Sequence, residues 1–196
     1  MLDTHCEKNL IINSRELNYK GIFRSDELFT LINRALEAKG YEKREKKTEE
    51  LVSEGGKKTY LELRPFKEKA NYVTLMIKMK ITLDNITEKV ETVRGEHRKF
   101  QNGDVSIVFD AWTLTDYESR WGMKPHIFFL KAFINKFLYS FPMEKSFVKE
   151  LTRDTAYVYA QIRTLLTSYG PDKGKRVREA DIRRKVEEEM EREKIY

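Results

Sequence analysis

Two unbroken alternating runs occupy the middle of the chain. From Val73 to Leu83, the residues Val73, Leu75, Ile77, Met79, Ile81 and Leu83 share one parity, while Thr74, Lys78, Lys80 and Thr82 share the other. In the second run Val105, Ile107, Phe109 and Ala111 fall on one face, and Ser106, Asp110 and Trp112 on the opposite one. A period of two puts successive side chains on opposite faces, so each run is a strand with one face to a core and one to solvent. Strands of this kind pair in antiparallel sheets.

The flanking segments complete the expected architecture. Leu10-Ile11-Ile12, then Leu17, Tyr19, Ile22 and Phe23, form an opening strand or two. Ser25 is placed to cap a helix with Asp26 and Glu27 in its first turn, where the dipole favours anions. Leu28, Leu31, Ile32, Ala35 and Leu36 follow at helical spacing, and Gly40 supplies the left-handed residue that ends it. Gly55-Gly56 divides a polar edge strand from an alternating Thr59–Phe66 run, giving a hairpin. Pro65 and Lys67–Asn71 form a turn, Asp84-Asn85 another, and Gln101-Asn102-Gly103-Asp104 a tight hairpin between a charged 89–100 strand and a 105–117 strand. Short connections between neighbours imply a meander of five to seven strands.

Beyond the strands the pattern becomes helical. Pro125 opens a helix that runs to about Phe141, and Pro142 ends it. A longer helix over Met143–Tyr169 carries Val148, Leu151, Thr155, Val158, Ile162, Leu165 and Tyr169 at alternating spacings of three and four. This stripe suits packing on the chain's own sheet, and a homo-oligomer seam along 148–169 is its other use. The expected division is one α+β domain over 1–170 and a charged helical C-terminal appendage over 171–196. In that tail Arg184 and Glu188, among others, pair at i, i+4.

The order strand, helix, antiparallel strands, long C-terminal helix resembles, in outline, the helix-grip (START-like) family. The resemblance implies a sheet wrapped around the terminal helix and often an enclosed hydrophobic ligand. Phe128, Phe133, Phe137 and Tyr157 are the candidate lining of such a pocket.

Residues that carry reaction chemistry are sparse. Cys6 is the single cysteine, so there is no intramolecular disulfide and no cysteine zinc cluster. His5 beside Cys6 is poor metal-ligand spacing, and His97 and His126 sit in settings explained by a wet strand face and a helix start. Asp104, Asp110 and Asp116 share a parity, but successive members, six residues apart, are about 20 Å apart along a strand, too far for one site. Asp110 alone stays a candidate, with pairing to Lys78 or Lys80 as the plainer reading. No cofactor, metal site or catalytic constellation is expected.

The recurring theme is basic residues with interleaved aromatics. Charged residues make up 36% of the chain, the net charge is +6 and the pI is about 9.2. Lys78 and Lys80 lie on the outward face of one strand, Arg94, Arg98, Lys99 and Phe100 on its neighbour, and Trp112 on the next. Lys173, Lys175, Arg176 and Arg178 open the tail. A basic face with an exposed aromatic suits RNA, which is held by backbone charge and base stacking. The expectation is a non-enzymatic binding protein for RNA or a ribonucleoprotein such as the ribosome. The alternatives are a carrier for a hydrophobic small molecule and a structural interaction protein. No apolar run approaches the roughly 20 residues of a membrane span, and no secretory leader opens the sequence, so a cytoplasmic protein is expected. Heavy use of lysine and glutamate, with two glutamines, fits a thermophilic source.

Overall fold

The computed structural model describes residues 7–53, 56–70, 72–93, 96–115, 142–169 and 179–192. The chain is an α+β protein. In order it has β1 (Glu7–Phe23), α1 (Ser25–Ala38), β2 (Glu45–Ser53), β3 (Gly56–Leu63), β4 (Phe66–Ala70), β5 (Val73–Val93), β6 (Glu96–Thr115), α2 (Pro142–Ser168) and α3 (Glu179–Arg192). The described strands form one six-stranded antiparallel sheet in the order β1-β6-β5-β3-β2, with β4 also on β5. β2, β3, β5 and β6 follow the expected meander, and β1 closes onto β6 from the far end of the sequence.

Both alternating runs behave as their period dictates. Leu75, Ile77, Met79 and Ile81 from β5, and Ile107, Phe109 and Ala111 from β6, are fully buried on one face. The opposite parity is half-buried or paired. α1 also forms as expected. Leu28, Ile32, Ala35 and Leu36 are buried, and Gly40 terminates it at φ +75°. Ser25 is the first helical residue and not its cap, and its N–H donates to Gln101 Oε1 at 3.2 Å.

Three turns differ from the sequence expectation. Lys67–Ala70 is not a turn, because Phe66–Ala70 is a strand that continues the line of β3 along β5; Asn71 lies outside the described residues. The line breaks at Pro65, which has no N–H to give the ladder, while its carbonyl accepts from Ile77 N–H at 3.0 Å. Asn102-Gly103 is not a hairpin either. β6 runs straight through it, and β5 and β6 pair out to Val93↔Glu96. Asp84-Asn85 faces this point as a bulge, with the register moving between Asp84↔Asp104 and Thr87↔Asn102. Asn85 takes φ +54°, a conformation asparagine tolerates better than most residues.

α2 is the central element. It packs against α1, α3, β1, β5 and β6. Leu151, Thr155, Val158 and Ile162 of its stripe are fully buried, as are Ala156 and Ala160 on other faces. A helix buried on most sides of its middle must have neighbours on several sides, and here the chain itself provides them. The middle of the stripe is covered within one chain, while Val148, Leu165 and Tyr169 are half-buried. Phe109 of the sheet meets Tyr159 of α2 with ring centroids 5.7 Å apart.

α3 has two faces. The exposed one carries the expected Arg184–Glu188 pair at 4.0 Å. The other carries Ile182, Val186 and Met190, spaced by four and buried in the core cluster against α2. Arg15 of β1 pairs with Glu189. Burial of these three apolar side chains is the contact that holds the 14-residue helix on the body. No helix among the described residues is long and apolar enough to cross a membrane.

Candidate nucleic-acid interface

The outward sheet face is a ladder of alternating charge. Lys78 lies directly opposite Asp110, and Lys80 opposite Glu62. Lys80 Nζ is 4.0 Å from Asp110 Oδ2, Arg64 pairs with Glu62 at 2.6 Å, Lys58 with Asp84 at 3.1 Å and Lys20 with Asp104 at 3.3 Å. Asp110 also accepts a hydrogen bond from Ser14 N–H at 2.8 Å, at a β1 bulge where Ser14 takes φ +50°. Its sequence candidacy therefore resolves into a structural role. Glu62 is desolvated, which would raise its pKa, but Arg64 and then Lys78 hold it below the ordinary value. Trp112 is half-buried in a cross-strand row with Leu10 on one side and Met76 on the other.

The basic residues gather differently on the helical layer. Lys149, Arg153 and Tyr157 recur every four residues along the least buried stripe of α2. Lys39, just past α1, places Nζ 4.3 Å from the centre of the Tyr157 ring. Arg183 of α3 places its guanidinium carbon 5.8 Å from the same ring. Three helices thus meet at one tyrosine with a cation from each neighbour. Lys39, Lys149, Arg153 and Arg183 form no ion pair with any described residue. Like charges four apart on a helix cost a few tenths of a kcal/mol, so Lys149 and Arg153 do not serve stability.

The nearby carboxylates are occupied inward. Lys67 of β4 bonds Glu150 at 2.7 Å and Asp154 at 3.4 Å, and Lys69 bonds Glu150 at 2.9 Å. Burial raises the Asp154 pKa, and Lys67 and Lys39 only partly offset it. Glu150 is pushed up by burial too, but the hydrogen bonds from Lys67 and Lys69 outweigh it and leave the pKa lowered. Tyr41, buried beneath this cluster with Lys67 5.4 Å from its ring, has its hydroxyl pKa raised by burial and then by Asp154 and Glu150. These groups lock β4 to α2. Of the outer cations Lys39 is close enough to act on Asp154, and Lys149, Arg153 and Arg183 extend the basic strip beyond it, where clustered positive charge focuses attraction on an anion.

The remaining sequence candidates are distributed as follows. Arg94 and the tail residues Lys173, Lys175, Arg176 and Arg178 lie outside the described residues, as do Phe128, Phe133 and Phe137 of the candidate pocket. Arg98 and Lys99 fall on β6, where they pair in register with Glu91 and Val90. Tyr157, the one described residue of that candidate lining, packs its body on the core and presents its ring to two cations. An open depression of about 370 Å³ lies elsewhere, between β1 and β6, lined by Asn18, Tyr19, Lys20, Asp104, Val105 and Ser106. No group of three metal-ligating side chains occurs among the described residues.

Lys39, Lys149, Arg153 and Arg183 escaped sequence reasoning as a site because their elements are far apart in the chain. The one legible hint was the Lys149–Arg153 like-charge pair. No family model matches this chain, and no curated protein or solved structure matches it.

Proposed function

We propose that this protein is a non-enzymatic RNA-binding protein, acting on RNA alone or within a ribonucleoprotein such as the ribosome. The observation that carries the reading is the convergence of Lys39 and Arg183 on Tyr157, in line with Lys149 and Arg153, while the local carboxylates are engaged inward. Cations spaced along a surface match a phosphate backbone, and an aromatic ring among them offers a stacking face for an unpaired base. The net charge of +6 points the same way. In sequence the strip continues into Lys173, Lys175, Arg176 and Arg178, which directly precede α3. Lys78, Lys80 and Trp112 on the outward sheet face form a secondary contact face, and Arg94, Arg98 and Lys99 add to it in sequence.

Fluorescence anisotropy with a labelled single-stranded RNA tests this. Four phosphates neutralised by the helical cations give a slope near −3 for log affinity against log salt. Lys39→Ala and Arg183→Ala each make that slope shallower by about 0.7. No binding at low salt, or binding insensitive to salt, would sink the proposal.

A further inference from the structure

We infer that docking of α3 and occupancy of the Tyr157 junction are thermodynamically linked, so that RNA binding tightens α3 onto the body and loss of α3 docking weakens RNA binding. The inference rests on the RNA-binding reading above. Its basis is the division of the junction between two separately held parts. Lys39 belongs to the α1 end and Tyr157 to α2, whereas Arg183 arrives only with α3. α3 in turn is held by the buried faces of Ile182, Val186 and Met190 and by the Arg15–Glu189 pair, none of which lies in the basic strip.

Docking therefore brings Arg183 towards a site already positive. The two ring distances place the cations of Lys39 and Arg183 no more than about 10 Å apart, roughly one Debye length at 0.1 M salt, so they still repel. Asp154, the carboxylate closest in chain to Tyr157, is buried and bonded to Lys67; it also acts on Lys39, so it offsets the charge on that side of the ring and not the charge that Arg183 brings. A phosphate spanning the two cations relieves the repulsion only when α3 is in place. By linkage, whatever a ligand gains from the docked state it returns as stabilisation of that state.

Hydrogen exchange of the full chain, with and without a single-stranded oligoribonucleotide, measures the first half of the coupling. Amides of 179–192 should exchange about fivefold more slowly, or slower still, when RNA is bound. Val186→Asn measures the second half, because it loosens the buried face of α3 without altering charge. Its affinity should fall about as far as that of Arg183→Ala, and the double variant should fall little further. Circular dichroism confirms that the variant keeps its sheet, and if it does not, the exchange measurement on the unaltered chain decides alone. RNA bound with α3 exchange unchanged would overturn the coupling and leave the RNA reading intact. No RNA bound at all would overturn the reading and the coupling together.

Discussion

Asp154 and Glu150 sit one turn apart on α2 and share Lys67, yet their environments pull their titrations in opposite directions. Glu150 has a lowered pKa, so its contribution to stability is complete above the unfolded carboxylate value and vanishes as pH falls through its folded value. Asp154 has a raised pKa, so the folded state holds its proton more tightly. Its contribution is greatest in acid and declines as pH rises from the unfolded value through the raised one. Glu150→Gln is accordingly expected to destabilise at neutral pH and to be nearly silent in acid. Asp154→Asn should improve relative to the native chain as pH rises from acid to neutral. Urea unfolding midpoints at the two pH values check both, and substitution effects independent of pH would contradict the assignment. Little of this was legible in sequence. Glu150 and Asp154 look like ordinary helix-surface acids until β4 brings Lys67 against them. Asp110 was the reverse case, a candidate whose plain pairing reading the Lys80 contact and the Ser14 N–H bear out.

At the scale of elements, hydrophobic period was the dependable signal and turn chemistry the fallible one. α1, α2, the 73–83 part of β5 and the 105–111 part of β6 lie where apolar spacing put them, since burial enforces that spacing wherever one face must leave water. Asn102-Gly103 is an equally strong hairpin signal taken alone. It sits instead in a continuous strand because the glycine answers a different need. A Cβ on Gly103 would stand 2.6 Å from Ile86 Cδ1 and 2.8 Å from the Asp84 carbonyl oxygen, so the β5 bulge closes only over a bare backbone. Gly103→Ala is therefore expected to cost about 1–3 kcal/mol, typical of forcing atoms into a packed site. Denaturant titration reads this directly, and a neutral substitution would show that the bulge is not constrained as described. Such a glycine looks the same in sequence as one in a turn, because the bulge needs a partner strand to define it.

The whole molecule places its basic residues in two settings that composition could not separate. Across the sheet, cations and carboxylates alternate between strands and neutralise one another. Across the helices, cations from α2, α3 and the end of α1 come together around the Tyr157 ring, with no salt bridge from them to a described carboxylate. Sequence showed that charge and aromatic rings recur, and it directed attention to the sheet because alternation makes an outward face easy to see. The helical strip emerges only from tertiary packing, since Lys39 and Arg183 stand at opposite ends of the chain. On the proposed function, RNA meets the protein on this strip, at Tyr157. Ultraviolet crosslinking of the full chain to a single-stranded RNA carrying 4-thiouridine, with mass spectrometric mapping of the adduct, addresses it most directly. The predicted result is a principal adduct on the α2 segment containing Tyr157, lost when Lys39 and Arg183 are both changed to alanine. An adduct confined to the β6 segment containing Trp112, or none, would contradict it.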